Sequence, residues 1–230
     1  MTGRRRLLSI DRALLAALLL IGAALFAFFK LASEVGEGET MALDRAILIG
    51  LRNPASPAGP RWLTEAMTET TAFGSVTGLF LVTSAVIGYL LISRRHRTAL
   101  FVLLATGSGT GAAKLLKLLY DRPRPSLVPH LVDVSSASFP SGHSADSAIV
   151  YLTIAALLAR TVPERALRLY ILGVAGLLVV LIGVSRIYLG VHWPSDVVAG
   201  WTFGAAWALG CSFAYSRLWA RQGLPEVEKR

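Results

Sequence analysis

Charge is scarce in this chain. Only 16% of its 230 residues are Asp, Glu, Lys or Arg while 54% are hydrophobic, and mean hydropathy is +0.58. A water-soluble domain of this size carries more charge on its surface, which excludes an ordinary globular protein and leaves a chain whose outside meets lipid. Cysteine is almost absent. Cys211 stands alone in an apolar run, so no intrachain disulfide forms, the redox compartment stays open, and the residue reads as a small core filler. Acid is short too, 14 Asp and Glu against 23 Lys and Arg, for a formal charge of +9. The arginines are scattered through short connections and not gathered into a stripe with exposed aromatics, so the excess gives no reason to expect nucleic acid as a partner. No repeat or low-complexity segment breaks the chain, and residues 1–230 read as one domain.

What the chain has in plenty is long apolar runs. Six of them place membrane spans at about 13–31, 70–93, 98–119, 142–159, 169–187 and 195–216, with Asp146 alone interrupting the fourth. Several uncharged stretches fall short of the ~20 residues a helix needs to cross the hydrocarbon, but each extends with apolar neighbours or snorkelling ends. A signal peptide competes for the first run, behind Arg4, Arg5, Arg6 and Arg12; the run is long for a signal core and no small-x-small cleavage site follows. The expected fold is all-α, a six-transmembrane helical bundle. The connection from Lys30 to Glu69 holds Pro54, Pro57 and Pro60 in its middle. Within it, Met41 to Leu51 sets Leu43, Ile47 and Leu51 on one face, and Trp62, Leu63, Ala66 and Met67 make a second short amphipathic pattern. Two short helices are expected between the first two spans, lying in the outer interface or packed on the bundle.

Orientation follows from the short loops, because cytoplasmic segments carry the excess of Lys and Arg. With six spans, the N-terminus, the 94–97 loop, the 160–168 loop and the C-terminus share a side and hold fourteen of the 23 basic residues. Both termini are therefore expected in the cytoplasm. The opposite, external face, periplasmic if this is a bacterial inner membrane, receives all of the polar clusters.

Chemistry-bearing residues fall in three places, all at span ends. Ser185-Arg186 is followed by His192-Trp193-Pro194-Ser195-Asp196. Pro194 suits the first position of a helix, so His192 precedes that helix and Asp196 lies in its first turn. A carboxylate four residues on reaches back to one imidazole nitrogen, fixing the tautomer and leaving the other as a nucleophile. Arg186 offers a planar fork for an anion. The third span runs through Lys114 and Lys117 into Asp121-Arg122-Pro123-Arg124-Pro125, where two prolines stop the helix. Lys117 and Arg124 bracket this turn and can converge on one anion. Phe139-Pro140-Ser141-Gly142-His143 precedes the fourth span: Ser141 is an N-cap, Gly142 lets a ligand approach the free amides of the helix start, and His143 stands beside them as a proton donor. Read singly, the clusters are also a snorkelling anchor and a capped helix with a surface histidine. His192, His143, Asp146 and Asp196 admit a metal-site reading, but three neighbouring cations suit an anion instead. Asp146 tunes His143 or simply wets the helix mouth. Lys114 and Arg122 bind a second phosphate or anchor the interface. His96 and His130 read as loop residues.

Together the clusters carry Lys-x6-Arg-Pro (Lys117, Arg124, Pro125), Pro-Ser-Gly-His (Pro140 to His143) and Ser-Arg-x5-His-x3-Asp (Ser185, Arg186, His192, Asp196). In these motifs the chain resembles the type 2 phosphatidic acid phosphatase superfamily, with no signature position missing; the region before Lys117 contributes no diagnostic residue. The resemblance implies that His192 attacks phosphorus, Asp196 orients it, His143 protonates the leaving group, and Lys117, Arg124, Ser141, Gly142 and Arg186 hold the phosphoryl oxygens, with no metal and no cofactor. A phosphate pocket at the outer interface is reached most easily by a headgroup whose tail stays in the bilayer, so a membrane lipid phosphate or prenyl diphosphate is the expected substrate. A lipid phosphotransferase using the same pocket and a non-catalytic anion-binding bundle are the alternatives.

Overall fold

A computed structural model describes residues 2–52 and 57–219, with side chains from residue 14 to residue 218. Pro54, Arg221, Lys229 and Arg230, and the side chains of Arg4, Arg5, Arg6 and Arg12, on which part of the orientation rests, lie outside that description. The described helices are α1 (Thr2–Glu37), α2 (Met41–Leu51), α3 (Arg61–Ala72), α4 (Val76–Ile92), α5 (His96–Leu119), α6 (Gly142–Ser147), a π-helical turn (Ala148–Leu152), α7 (Thr153–Ala159), α8 (Arg165–Tyr188) and α9 (Pro194–Trp219). Among the described residues the only β-type pairing is an isolated bridge between Arg52 and Pro57. The fold is all-α, and the two short helices of the first connection are both present.

Five stretches are long and apolar enough to cross a membrane: Leu14–Glu37, His96–Leu119, Gly142–Ala159, Arg165–Tyr188 and Pro194–Leu218. The expected span at 70–93 is not a single helix. The axes of α3 and α4 differ by 52° across a break at residues 73–75, and counting this bent pair as one crossing brings the total to six. Ser75 explains the break. In extended backbone (φ −72°, ψ 158°) it accepts the Gly78 N–H on its hydroxyl at 3.1 Å, so it caps a new helix instead of continuing the old one. An uncharged run hides such a cap, because hydropathy does not register one serine. Leu18, Leu19, Phe26, Leu103, Leu104 and Leu177 all point outward and exposed; lipid covers surface of that kind. The protein is an integral membrane protein.

Small residues bring the inner helices together. A Cβ at Gly204 would stand 2.5 Å from Ala148 Cβ, and one at Gly200 would stand 2.8 Å from the Ser141 carbonyl oxygen, so α9 lies directly on the start of the fourth membrane crossing. Two tryptophans add polar links: Trp207 Nε1 donates to the Ala105 carbonyl at 2.8 Å and Trp201 Nε1 to that of Val179 at 3.1 Å. The main core joins Phe28 and Ala32 of α1 to Phe139, Ala145, Ile149, Ala199 and Phe203. A second cluster, with Leu48 of α2, Val128, Ile187, Trp193 and Val197, packs beside the polar end of the bundle. On α2, Leu43 and Ile47 are exposed while Asp44 and Leu48 are buried. The expected stripe is therefore split: Leu43 and Ile47 face outward, while Leu51 packs inward with Met41 and Leu48 on a buried face that also carries the Asp44 carboxylate.

Candidate active site

The three clusters meet where α5 ends, α6 begins and a short turn joins α8 to α9. His192 sits in that turn at 1% exposure. Gly190, at φ 77°, follows the last turn of α8, and Pro194 opens α9. The His192 Nδ1 lies 3.4 Å from Asp196 Oδ2 and 3.4 Å from Ser138 Oγ. Asp196 Oδ2 also accepts the Ser138 hydroxyl and, at 2.9 Å, the Trp193 N–H, so the carboxylate is held from several sides. The other ring nitrogen, Nε2, faces Arg124 Nη1 at 3.2 Å. A guanidinium only donates, so Nε2 accepts through its lone pair and the ring proton belongs on Nδ1, toward Asp196. Burial pushes the His192 pKa from 6.5 to about 3; Arg124 and Arg186 act in the same direction, against the hydrogen bond and charge of Asp196.

Arg124 is fixed by backbone. Its Nη1 donates to the Val191 carbonyl at 2.6 Å and its Nε to that of Ser136 at 2.8 Å, and burial lowers its pKa, with Asp196 opposing. Arg186, 4% exposed in the last turn of α8, donates from Nη1 to Thr71 Oγ1 at 2.8 Å, while its buried Nε has no partner among the described residues. Lys117 is in the last turn of α5; its ammonium would lie 3.9 Å from a Cβ at Gly142. The charges acting on it are those of Arg124, Asp196, Asp146 and Arg186. Ser141 is fully buried and caps α6, accepting the Ser144 N–H at 3.4 Å and the Ser144 hydroxyl at 3.0 Å. His143, partly buried, packs beside the α3–α4 break: a Cβ at Gly74 would stand 3.3 Å from its Cδ2. It lies within the fields of Arg186, His192, Lys117 and Arg124.

The arrangement is an imidazole with an oriented carboxylate, a second imidazole, and three cations around one small volume. It is built for an oxyanion of high charge. Among the described residues no three His, Cys, Asp or Glu side chains gather in a way that holds a metal ion. Asp146 Oδ1 is buried with no hydrogen-bond partner among the described residues, and Lys114 is exposed. His130 Nε2 lies 2.7 Å from the Pro125 carbonyl oxygen, within the loop that follows α5.

Four residues join the site without a sequence signal to announce them. Arg122, read as a phosphate ligand or an anchor, is neither: its side chain is 8% exposed, and Nη1 donates to Asp196 Oδ1 at 2.6 Å while Nη2 donates to Asp44 Oδ2 at 2.8 Å. Asp44 and Thr71 come from the region before Lys117, and Ser138 comes from just ahead of the Pro-Ser-Gly-His motif. Asp44 stands beside Arg45 on a short helix, and nothing in the sequence tells that it is buried and meets Arg122.

The sequence matches the PAP2 superfamily over residues 97–220. It is 36% identical over 188 residues to phosphatidylglycerophosphatase B of Bacillus subtilis, covering 79% of this chain and 88% of that protein. It is 44% identical over 68 residues to an undecaprenyl-diphosphatase of Sulfolobus acidocaldarius, covering 30% of this chain and 29% of the other. Its fold superposes with a TM-score of 0.79 and 30% identity on the crystal structure of the transmembrane PAP2 type phosphatidylglycerolphosphate phosphatase from Bacillus subtilis, covering 86% of this chain and 96% of that one. The chain therefore belongs to the PAP2 superfamily, and within it to the membrane lipid phosphatases.

Proposed function

We propose that the protein hydrolyses a phosphate ester or diphosphate of a membrane lipid through a phosphohistidine on His192. The observation that carries this reading is the pair of contacts on one imidazole: Asp196 on Nδ1, and a pure donor, Arg124, on Nε2. A lone pair held ready in a cationic pocket is what attack on phosphorus needs. Nε2 attacks, the P–O bond to the lipid breaks, and His143 gives its proton to the departing oxygen. Water then attacks the phosphohistidine, His143 takes a proton from it, and inorganic phosphate leaves as the N–P bond breaks. Lys117, Arg124 and Arg186 bind the equatorial oxygens, and the start of α6 at Ser141 and Gly142 presents its amides to them. Ser141 caps α6 through its oxygen, which accepts two hydrogen bonds, and its hydroxyl proton is left to donate to a phosphoryl oxygen. Arg124 leaves Nε2 for a phosphoryl oxygen when substrate enters. Three fixed cations perform the charge neutralisation for which other phosphatases use a metal ion.

The substrate candidates are those named in the relatives, phosphatidylglycerophosphate and undecaprenyl diphosphate, with phosphatidic acid as the simplest lipid monoester. In this reading both termini lie in the cytoplasm and the pocket faces outside, as the arginine-rich short loops favour. The test is phosphate release by detergent-purified protein from these three lipids and a water-soluble monoester, with and without excess EDTA. Release from at least one lipid, undiminished by EDTA, is expected. Activity lost to EDTA and restored by Mg²⁺ or Zn²⁺ contradicts the mechanism, and transfer to an added lipid alcohol in place of release makes the protein a phosphotransferase.

A further inference from the structure

The nucleophile's carboxylate does not end the polar chain. Asp196 Oδ1 is gripped by Arg122 Nη1 at 2.6 Å, and Arg122 Nη2 is gripped in turn by Asp44 Oδ2 at 2.8 Å, with Thr40 Oγ1 at 3.3 Å beside it. Ser195 closes the ring: its hydroxyl accepts from Arg122 Nη1 at 2.7 Å and donates to Asp44 Oδ2 at 2.6 Å, and its N–H donates to Asp44 Oδ1 at 2.8 Å. Asp44 is 2% exposed and Asp196 0% exposed, so the charges interact through protein and not through water. A guanidinium placed directly on Asp196 would by itself cancel much of the charge that the carboxylate presents to His192. A second carboxylate behind the guanidinium restores the balance: Asp44, Arg122 and Asp196 together carry one net negative charge.

We propose that Asp44, on the short helix between the first two membrane segments, is a positioning residue for the nucleophile, acting through Arg122 to keep Asp196 fully anionic toward His192 and to hold the first turn of α9 where Asp196 begins. The inference rests on His192 being the nucleophile, and it gives the first connection a part in the chemistry. The groups acting on the imidazole from the packed elements are Asp196, Arg124 and Arg186, with His143 and Lys117 in the same pocket. Only Asp196 among them is acidic, so any change in its effective charge falls directly on the ring.

Removing the two charges separately and together distinguishes a purely structural staple from a charge-balancing one. The readout is the Nδ1–H proton and imidazole ¹⁵N resonances of His192 in histidine-labelled protein at neutral pH, compared for wild type, Asp44→Asn, Arg122→Gln and Asp44→Asn/Arg122→Gln. Asp44→Asn is expected to move the Nδ1–H signal upfield, Arg122→Gln downfield, and the double variant back close to wild type. In turnover, Asp44→Asn lowers kcat about 10- to 100-fold with KM held within about twofold, the cost usual for removing an outer partner that orients a histidine. If Asp44→Asn does not fold, Asp44→Ser replaces it in the same comparison. Resonances unmoved by loss of Asp44 in whichever variant folds, or a loss of activity confined to KM or to melting temperature, overturn the proposal. Base-stable label that persists in His192→Ala overturns the nucleophile reading instead, and the resonances still decide whether Asp44 acts on the ring.

Discussion

At the scale of single residues, the proposed mechanism separates two tasks on one imidazole. Asp196 fixes the proton on Nδ1, and burial holds the ring neutral so that Nε2 keeps its lone pair. Asp196→Asn keeps the shape but admits the wrong tautomer, and by analogy with serine triads kcat should drop roughly 10² to 10⁴-fold; steady-state kinetics with KM resolved measures it. The depressed His192 pKa also has a sign. Between 6.5 and about 3, the unfolded chain binds a proton at this ring that the folded protein refuses, so this group's contribution to stability falls as pH falls through that window. Above 6.5 it contributes no pH dependence. A ¹⁵N titration of His192 in folded protein checks this, and a midpoint at 6.5 contradicts it. The motif residues were legible because phosphoryl chemistry constrains their type and spacing. Asp44 and Arg122 were not, since their pairing joins positions 78 residues apart and only packing brings them together.

At the scale of elements, the break between α3 and α4 is the feature that an uncharged run concealed, and it is also what brings His143 up against a glycine. A methyl group at Gly74 would come 2.5 Å from Ile182 Cγ2 and 3.3 Å from His143 Cδ2. Both neighbours have to shift. Gly74→Ala is therefore expected to slow hydrolysis of an alkyl phosphate, whose leaving group takes its proton from His143 in the proposed mechanism, by at least about tenfold, and to change the rate on p-nitrophenyl phosphate much less, because a good leaving group requires little protonation. Equal losses on both substrates would remove His143 from that role or show that the substitution disturbs the whole pocket. The short helix α2 is legible in the sequence at Met41–Leu51. Its helical period is legible, but not which apolar side turns inward, since Leu43 and Ile47 are exposed while Met41, Leu48 and Leu51 pack inside beside Asp44.

At the scale of the whole molecule, the fold class, the helices between the first two membrane segments and the five long apolar helices follow from hydropathy and length, because lipid admits so few alternatives for a backbone that must satisfy its own hydrogen bonds. Sidedness rests on where the arginines fall. In a Cys211→Ala background, cysteines at the exposed positions Ser126 and Ser135 are expected to react with an impermeant maleimide from outside intact cells, and one at the exposed Ser93 only after lysis. Labelling of Ser93 alone from outside would reverse the orientation. The central claim, that a membrane lipid's phosphate passes through His192, is tested most directly by rapid mixing of purified protein with lipid substrate labelled at its terminal phosphate, in excess EDTA, followed by an alkaline quench that preserves phosphohistidine. Label bound to wild-type protein that chases into inorganic phosphate, and no label on His192→Ala, is the result expected; label retained by His192→Ala would falsify the assignment.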